Sequence, residues 1–242
     1  MNLKFCVTLT TIPARLKDIG KTIETIRNQT LKPEKIFLNI PIKYYRFPNE
    51  IVDETLIEKI RSDDIEISRC NDYGPATKLM GSIKKIKEFD CVIIIDDDHL
   101  YHNKMCEIFI NEFKKDMVNY SFYQNKIFDI KMAQCADGFL INTKFLDKIE
   151  KFYDKYVHKN LNLYLDDDLW FALYLQIIKK VNIKNIIDIF RNETGRELVY
   201  EVHSDKDALS KDIHNPKKFI NRRKIAKIEY IKFKIKNFFF NN

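Results

Sequence analysis

Long apolar runs are missing from this 242-residue chain. None approaches the ~18 residues a bilayer-spanning helix needs. No Gly/Ser/Pro-rich stretch separates two domains, and no internal repeat is present. A first strand begins almost at once, leaving no room for a signal peptide, so a cytoplasmic protein is expected. No Cys-x-x-Cys pair occurs; Cys6, Cys70, Cys91, Cys106 and Cys135 lie far apart. An odd, scattered set argues against a disulfide framework and structural zinc, and fits a reducing compartment. Glycine numbers only five, and neither Gly-x-Gly-x-x-Gly nor Gly-x-x-x-x-Gly-Lys-Ser/Thr occurs. That argues against a dinucleotide oxidoreductase and a P-loop enzyme.

Net positive charge is absent from most of the chain, although the total is +7. From Lys217 to Asn242 there are nine Lys/Arg and one acid, a net +8 that leaves residues 1–216 at −1. A nucleic-acid binder would need a positive face on its main domain, so nucleic acid is not an expected partner. The sequence divides into one domain over 1–216 and a basic tail over 217–242. In the tail Ile228, Ile231, Ile235, Phe238 and Phe239 share one helical face, flanked by Lys227, Lys232, Lys234 and Lys236. Such a helix is either a peripheral membrane contact or a helix packed on the domain with its lysines in water.

What is present first is an alternation of strand and helix. Short apolar runs predict strands at Leu3 to Leu9, Glu34 to Ile40, Ile65 to Ser68 and Cys91 to Ile95. Helical spacing falls between them, at Leu16 to Arg27, Glu50 to Arg61 and Thr77 to Lys87. This order predicts an α/β fold with a mostly parallel sheet. The second half is less regular. It reads as a helix over 105–115, one or two strands over 122–133, a turn at Ala136-Asp137-Gly138 and a short strand over 139–142. Helices over 144–157 and 167–179 follow, then strands over 181–189 and 198–202.

The run Ile93-Ile94-Ile95-Asp96-Asp97-Asp98 carries the most information. A strand buried on both faces ends in three carboxylates, and ligands of open α/β sheets sit at such strand ends. Adjacent carboxylates repel unless something positive is bound, so a hard divalent cation is expected there; the alternative is a solvated acidic turn. Thr10, Thr11 and Arg15 follow the first strand, and Asn71, Asp72 and Lys78 the third. Together these clusters suggest a nucleotide diphosphate site, with Arg15 and Lys78 offsetting phosphate charge and a metal on Asp96 or Asp98. A second triplet, Asp166-Asp167-Asp168, opens a helix. It either caps that helix or supplies a general base. Trp170, Phe171 and Tyr174 either stack on a sugar or belong to the core.

Four segments occur in order: Val7-Thr8-Leu9-Thr10-Thr11-Ile12-Pro13-Ala14-Arg15, Asp72-Tyr73-Gly74-Pro75-Ala76-Thr77-Lys78, Asp96-Asp97-Asp98 and Leu165-Asp166-Asp167-Asp168. The set resembles a GT-A-fold glycosyltransferase, similar to small family-2-like enzymes of bacterial polysaccharide clusters and large DNA viruses. The resemblance covers roughly residues 3–215 and implies a Rossmann-like sheet flanked by helices, with a smaller irregular acceptor-side half. It implies that Thr10, Thr11 and Pro13 lie against the nucleotide base with Arg15 close by. Asn39 would face the base where many relatives carry Asp. Asp72, Lys78, Asp96 and Asp97 would contact nucleotide or diphosphate. Asp98, with Asp96 of the Asp-x-Asp signature, would hold Mn²⁺ or Mg²⁺, and His203 would add a late ligand, His99 bonding to the triplet instead. Asp137, Gly138 and Phe139 would form the acceptor-side loop. Asp168 or Asp167 would be the catalytic base.

The implied activity is hexosyltransferase-type: metal-dependent, inverting transfer from a nucleotide-sugar, a UDP-sugar above others, to a hydroxyl of a glycan or lipid-linked acceptor. Three rivals stand beside it. A sugar-nucleotidyltransferase would carry a Gly-rich phosphate loop that Thr10 to Arg15 lacks. A non-catalytic carbohydrate- or nucleotide-binding relative would not need two costly acidic clusters. A metal phosphohydrolase would gather His and Asp around two metals, whereas the five histidines here are scattered.

Overall fold

The computed structural model describes residues 3–203 and 222–240. The elements are β1 (Phe5–Thr10), α1 (Ile19–Arg27), β2 (Lys35–Pro41), α2 (Glu54–Ile60), β3 (Ile65–Cys70), α3 (Thr77–Met80), α4 (Ile83–Ile86), β4 (Cys91–Ile94), β5 (His99–Tyr101), α5 (Met105–Asp116), β6 (Asn119–Ser121), β7 (Gln124–Ile127) and β8 (Ile130–Ala133). They continue with β9 (Phe139–Asn142), α6 (Ile149–Phe152), α7 (Leu161–Tyr164), α8 (Asp167–Leu173), β10 (Ile183–Asn185), α9 (Ile187–Thr194), β11 (Tyr200–Val202) and α10 (Arg222–Phe240). Seven strands form one sheet in the order β10-β6-β9-β4-β1-β2-β3. All run one way except β9, which is antiparallel to both β4 and β6. A β5–β11 ribbon and a β7–β8 hairpin complete the strands.

Period-two alternation explains why helices cover both sides of the sheet. Phe5, Val7 and Leu9 of β1, Ile36, Leu38 and Ile40 of β2, and Cys91 and Ile93 of β4 enter one core, with Ile19, Ile23 and Ile26 of α1 and Phe109 and Phe113 of α5. Cys6, Phe37, Val92 and Ile94 point the other way, into a core with Leu79, Leu169, Trp170 and Tyr174. Trp170, Phe171 and Tyr174 are therefore core residues. All five cysteines are free.

Several boundaries differ from the sequence reading. The helix expected over 77–87 is two turns, broken at Gly81–Ser82. There a Cβ on Gly81 would come within 2.7 Å of the Asn39 Cβ. Helices over 144–157 and 167–179 each end in a wider π-type turn, at Tyr153–Val157 and Tyr174–Ile178. The strand expected over 181–189 is only three residues long. From Ile187 the chain turns helical, the Asn185 side chain accepting the Ile187 N–H at 3.1 Å. The strand β6, before the expected 122–133 segment, was not foreseen.

The tail helix packs with a face other than the expected one. Ala226, Tyr230 and Phe233 are buried in the core, and buried Glu229 accepts hydrogen bonds from Asn160 Nδ2 (2.6 Å) and Asn162 Nδ2 (3.1 Å). Ile228, Ile231 and Ile235 stay 42%, 47% and 53% exposed. The side chains of Phe238 and Phe239, and the boundary expected between 216 and 217, lie outside the described residues.

Candidate active site

The carboxyl ends of β1 and β4 open into a cavity of ≈ 320 Å³. Of the residues picked from the sequence, its wall contains Thr10, Thr11, Arg15, Asp72, Lys78, Asp96, Asp97, Asp98, Asp167 and Asp168. The order is set by local chemistry. Pro13 starts a 3₁₀ turn, Pro13–Arg15, where its missing N–H costs nothing. That turn aims Arg15 back across the strand ends. Its Nη1 lies 2.6 Å from Asp97 Oδ1 and 2.9 Å from Asp98 Oδ2. The Thr11 hydroxyl donates to Asp97 Oδ2 at 2.7 Å.

Lys78 is 4% exposed and joins the two acidic triplets. Its Nζ lies 2.5 Å from Asp96 Oδ1 and 3.0 Å from Asp167 Oδ2. Burial pulls the ammonium down, but Asp167 and Asp96 outweigh it and hold Lys78 firmly charged. Burial pushes the Asp167 carboxyl up to about 6, Lys78 opposing and Asp168 and Asp96 adding. The repulsion expected to call for a metal at the first triplet is thus already relieved in part: Arg15 and Lys78 stand against its carboxylates.

A divalent cation still fits beside them. Ligand atoms of Asp96, Asp98 and His99 lie within 4.8 Å of one another. Asp98 Oδ1 and His99 Nδ1 are buried and face each other without a well-formed hydrogen bond. Carboxylate oxygens with one imidazole suit a first-row divalent ion such as Mn²⁺. The histidine in that group is His99 rather than His203. The His203 Nε2 sits 2.9 Å from the Thr22 hydroxyl, which also lies 2.8 and 2.9 Å from the carbonyls of Asp97 and His99. What His203 gives the triplet is its backbone N–H, donated to the Asp98 carbonyl at 2.9 Å.

The second triplet divides its work. Asp166 caps α8, its side chain accepting the Leu169 N–H at 3.3 Å. That leaves Asp167 for Lys78 and Asp168 for the cavity, where Asp168 Oδ1 accepts the Cys135 N–H at 3.1 Å. Tyr101 ties the halves together. Its hydroxyl accepts the Asp96 N–H at 2.9 Å and donates to the Ala136 carbonyl at 2.9 Å.

Other expected residues stand behind the wall. Asn39 is fully buried, its amide donating toward Thr8 Oγ1 (3.0 Å) and the carbonyls of Leu9 (3.2 Å) and Lys78 (2.9 Å). Its oxygen accepts from Ser82 Oγ at 2.5 Å, so it does not face a base. Pro13 shapes the turn while Ile12 takes the wall. In the loop expected on the acceptor side, Gln134 and Ala136 line the cavity, whereas Asp137 and Phe139 are buried. Gly138 is kept by its φ of +91°, and a Cβ there would meet Phe109 at 3.0 Å. Burial pushes Asp137 up to about 7, with His99 opposing and Asp168 and Asp96 adding.

The sequence reading missed the aromatic and cationic wall: Tyr44, Arg46, Phe47 and Tyr164. Tyr44 donates to the Thr11 carbonyl at 2.9 Å, and Asp72 Oδ2 accepts the Tyr45 N–H at 2.6 Å. Asp72 Oδ1 accepts the Gly74 N–H at 2.7 Å. Asp72 thus orders two loops at the cavity rim. The signal available was the aromatic run Tyr44-Tyr45-Arg46-Phe47 just after a strand.

No family model matches the chain, and no curated protein matches it in sequence. Solved structures do match. The 1–349 portion of S. aureus TarS in complex with UDP-GlcNAc superposes with a TM-score of 0.58 at 14% identity, over 94% of this chain and 66% of that one. The same portion in complex with UDP gives 0.51 at 12%, over 77% and 58%. A cytidylyltransferase from Leptospira borgpetersenii serovar Hardjo-bovis gives 0.50 at 10%, over 77% and 76%. The chain spans less than two thirds of these TarS chains. At such identities the likeness is one of fold: a mainly parallel, helix-flanked sheet of the GT-A kind, as the resemblance implied.

Proposed function

We propose that the chain is a metal-dependent, inverting glycosyltransferase. It takes a nucleotide-sugar, a UDP-sugar first, and transfers the sugar to a hydroxyl of a glycan or lipid-linked acceptor. Residues 1–216 form the catalytic domain and 217–242 an appended tail. The observation that carries the reading is the cavity's charge. Its wall holds six carboxylates (Asp72, Asp96, Asp97, Asp98, Asp167, Asp168) and three cations (Arg15, Arg46, Lys78). A nucleoside diphosphate entering such a wall is repelled unless a cation comes with it. Asp96, Asp98 and His99 are the residues to hold that cation, Mn²⁺ or Mg²⁺. When bound, it supplies neutralisation of the departing diphosphate. The likeness to TarS bound to UDP and to UDP-GlcNAc supports the donor class.

The chain's own residues then perform the displacement. Arg15 and Lys78 keep the triplet oriented. Asp168 accepts the proton of the acceptor hydroxyl, whose oxygen attacks the anomeric carbon as its bond to the diphosphate breaks. One displacement inverts the configuration. Asp167, beside Asp168 on the same wall and raised to about 6 by burial, is the alternative base.

Calorimetric titration of UDP, GDP and dTDP, with Mn²⁺ and with EDTA, tests this, with Asp98→Ala alongside. One nucleotide binding far more tightly with Mn²⁺ than in EDTA, with that gain lost in the variant, is expected. No binding of any nucleotide would remove the donor site and leave a binding relative of another kind. The likeness to a cytidylyltransferase supports a second reading, a sugar-nucleotidyltransferase. That reading requires pyrophosphate release from a nucleoside triphosphate and a sugar phosphate, which the glycosyltransferase reading excludes.

A further inference from the structure

α10 has two working faces. At about 100° per residue, Ala226, Tyr230 and Phe233 share one side, and Ile228, Ile231 and Ile235 centre about 180° away. The first side is buried in the core and the second is exposed. The only acid of 222–240, Glu229, is turned inward onto Asn160 and Asn162 and also holds Lys232 Nζ at 3.0 Å, while Lys234 Nζ lies 3.8 Å from Asp129 Oδ2. Lys224, Lys227, Lys232, Lys234 and Lys236 are all exposed. Lys227 and Lys234 border one edge of the isoleucine stripe, and Lys232 and Lys236 the other. Several lie along aromatic rings: Lys227 over Phe128 (5.9 Å), Lys234 over Tyr230 (5.7 Å) and Lys236 over Tyr156 (5.0 Å). Phe128, at the tip of the β7–β8 hairpin, is 49% exposed and extends the apolar surface on the Lys227 side.

Packing onto the domain has not consumed this apolar face, so it calls for an occupant. Charge decides which one. A second copy docking by the same stripe would set one net-basic border against another. A nucleic acid would use the lysines and leave three isoleucines in water. A lipid surface with anionic headgroups satisfies both, aliphatic groups entering the acyl boundary and ammonium groups meeting phosphates. No described helix is long and apolar enough to cross a membrane. We propose that the outer face of α10 docks in the plane of an anionic lipid surface, the inner face holding the domain to it. Glu229 links α10 to the start of α7, whose last residue, Tyr164, lines the cavity. The surface belongs to the helix and does not depend on the donor-site reading.

Co-sedimentation of the full chain with phosphatidylcholine vesicles, and with vesicles containing phosphatidylglycerol, tests it. Binding to the anionic vesicles only, weakening with salt, is expected. The Ile228→Ser/Ile231→Ser/Ile235→Ser variant should bind about tenfold or more weakly. It should stay folded with a melting temperature lowered by only a few degrees, because these side chains are about half covered. A second variant, Lys224→Gln/Lys227→Gln/Lys236→Gln, should lose the salt-sensitive part and stay folded. No binding of the intact chain to anionic vesicles, or undiminished binding by the serine variant, would overturn the proposal. So would a dimer in analytical ultracentrifugation that the serine variant abolishes, or binding to duplex DNA in place of vesicles.

Discussion

Asn39→Asp separates two accounts of one residue. If the side chain faced a nucleotide base, the change would alter base selectivity and leave the fold intact. The structure instead buries it completely, donating toward Thr8 Oγ1 and the carbonyls of Leu9 and Lys78. An isosteric carboxylate keeps the shape and removes both donated hydrogens. The Leu9 carbonyl then loses this donor, the Lys78 carbonyl keeps the Thr8 hydroxyl, and the new carboxylate oxygen is buried facing acceptors. Each buried group left unsatisfied costs about 1–3 kcal/mol, so two, the Leu9 carbonyl and the new oxygen, cost about 2–6 kcal/mol. For a chain of this size about 3 kcal/mol lowers Tm by about 6–12 °C. The loss should also grow with pH. Burial among carbonyls raises the introduced carboxyl's folded pKa above its unfolded value of about 4. A raised folded pKa means stability present at low pH and lost as pH rises, by about 1.4 kcal/mol per unit until the folded pKa is passed. Thermal melts at about pH 5 and about pH 8 read this directly. A Tm within about 1 °C of the parent at both pH values, joined to altered nucleotide preference, would refute the buried-cluster account.

Asp168→Asn should lower turnover by about 10²–10⁴-fold while nucleotide titration stays unchanged, since a base acts on the acceptor; unchanged turnover would remove Asp168 from that role. Asp166→Ala should cost about 1 kcal/mol through the lost cap of α8, seen in denaturant melts, with nucleotide affinity retained. Loss of nucleotide binding in a folded Asp166→Ala variant would show that the cap assignment is wrong. Asp137, held up at about 7, binds its proton longer in the folded state than in the unfolded one. Its contribution is therefore full below about pH 4 and is lost as pH rises toward about 7. In EDTA, the stability of Asp137→Asn relative to the parent should rise across that range. A pH-independent difference would mean that Asp137 titrates normally.

Much of the fold was legible because parallel strands buried on both faces are short apolar runs, and β1, β2 and β4 are such runs. Strand direction was not legible. Nothing local in Phe139–Asn142 marks it as the one strand of the seven-stranded sheet that runs against its neighbours, β4 and β6. Three-residue strands such as β5 and β6 carry too few residues for a period to appear. The segment after Ile183 misled because Ile186, Ile187 and Ile189 are β-branched residues that favour strands locally. Burial of Ile187 and Phe190 against the core overrides that preference and makes a helix.

The site was legible wherever a functional residue ends a strand, because topology alone carries such residues to one rim. Charge pairing was not, because it depends on which cation the fold returns to that rim. Arg15 meets Asp97 from 82 positions away and Lys78 meets Asp167 across the cavity. These pairings change the reason for expecting a metal. Repulsion within a bare triplet is insufficient, since Arg15 and Lys78 relieve it. The stronger reason is the count over the whole wall, six carboxylates against three cations, before any diphosphate arrives. Removing Arg15 should therefore deepen the dependence of nucleotide binding on metal. With Arg15→Met, UDP affinity in EDTA should fall further than UDP affinity in saturating Mn²⁺, because only the former lacks a substitute cation. Equal losses under both conditions would mean that Arg15 contacts the nucleotide rather than balancing the triplet.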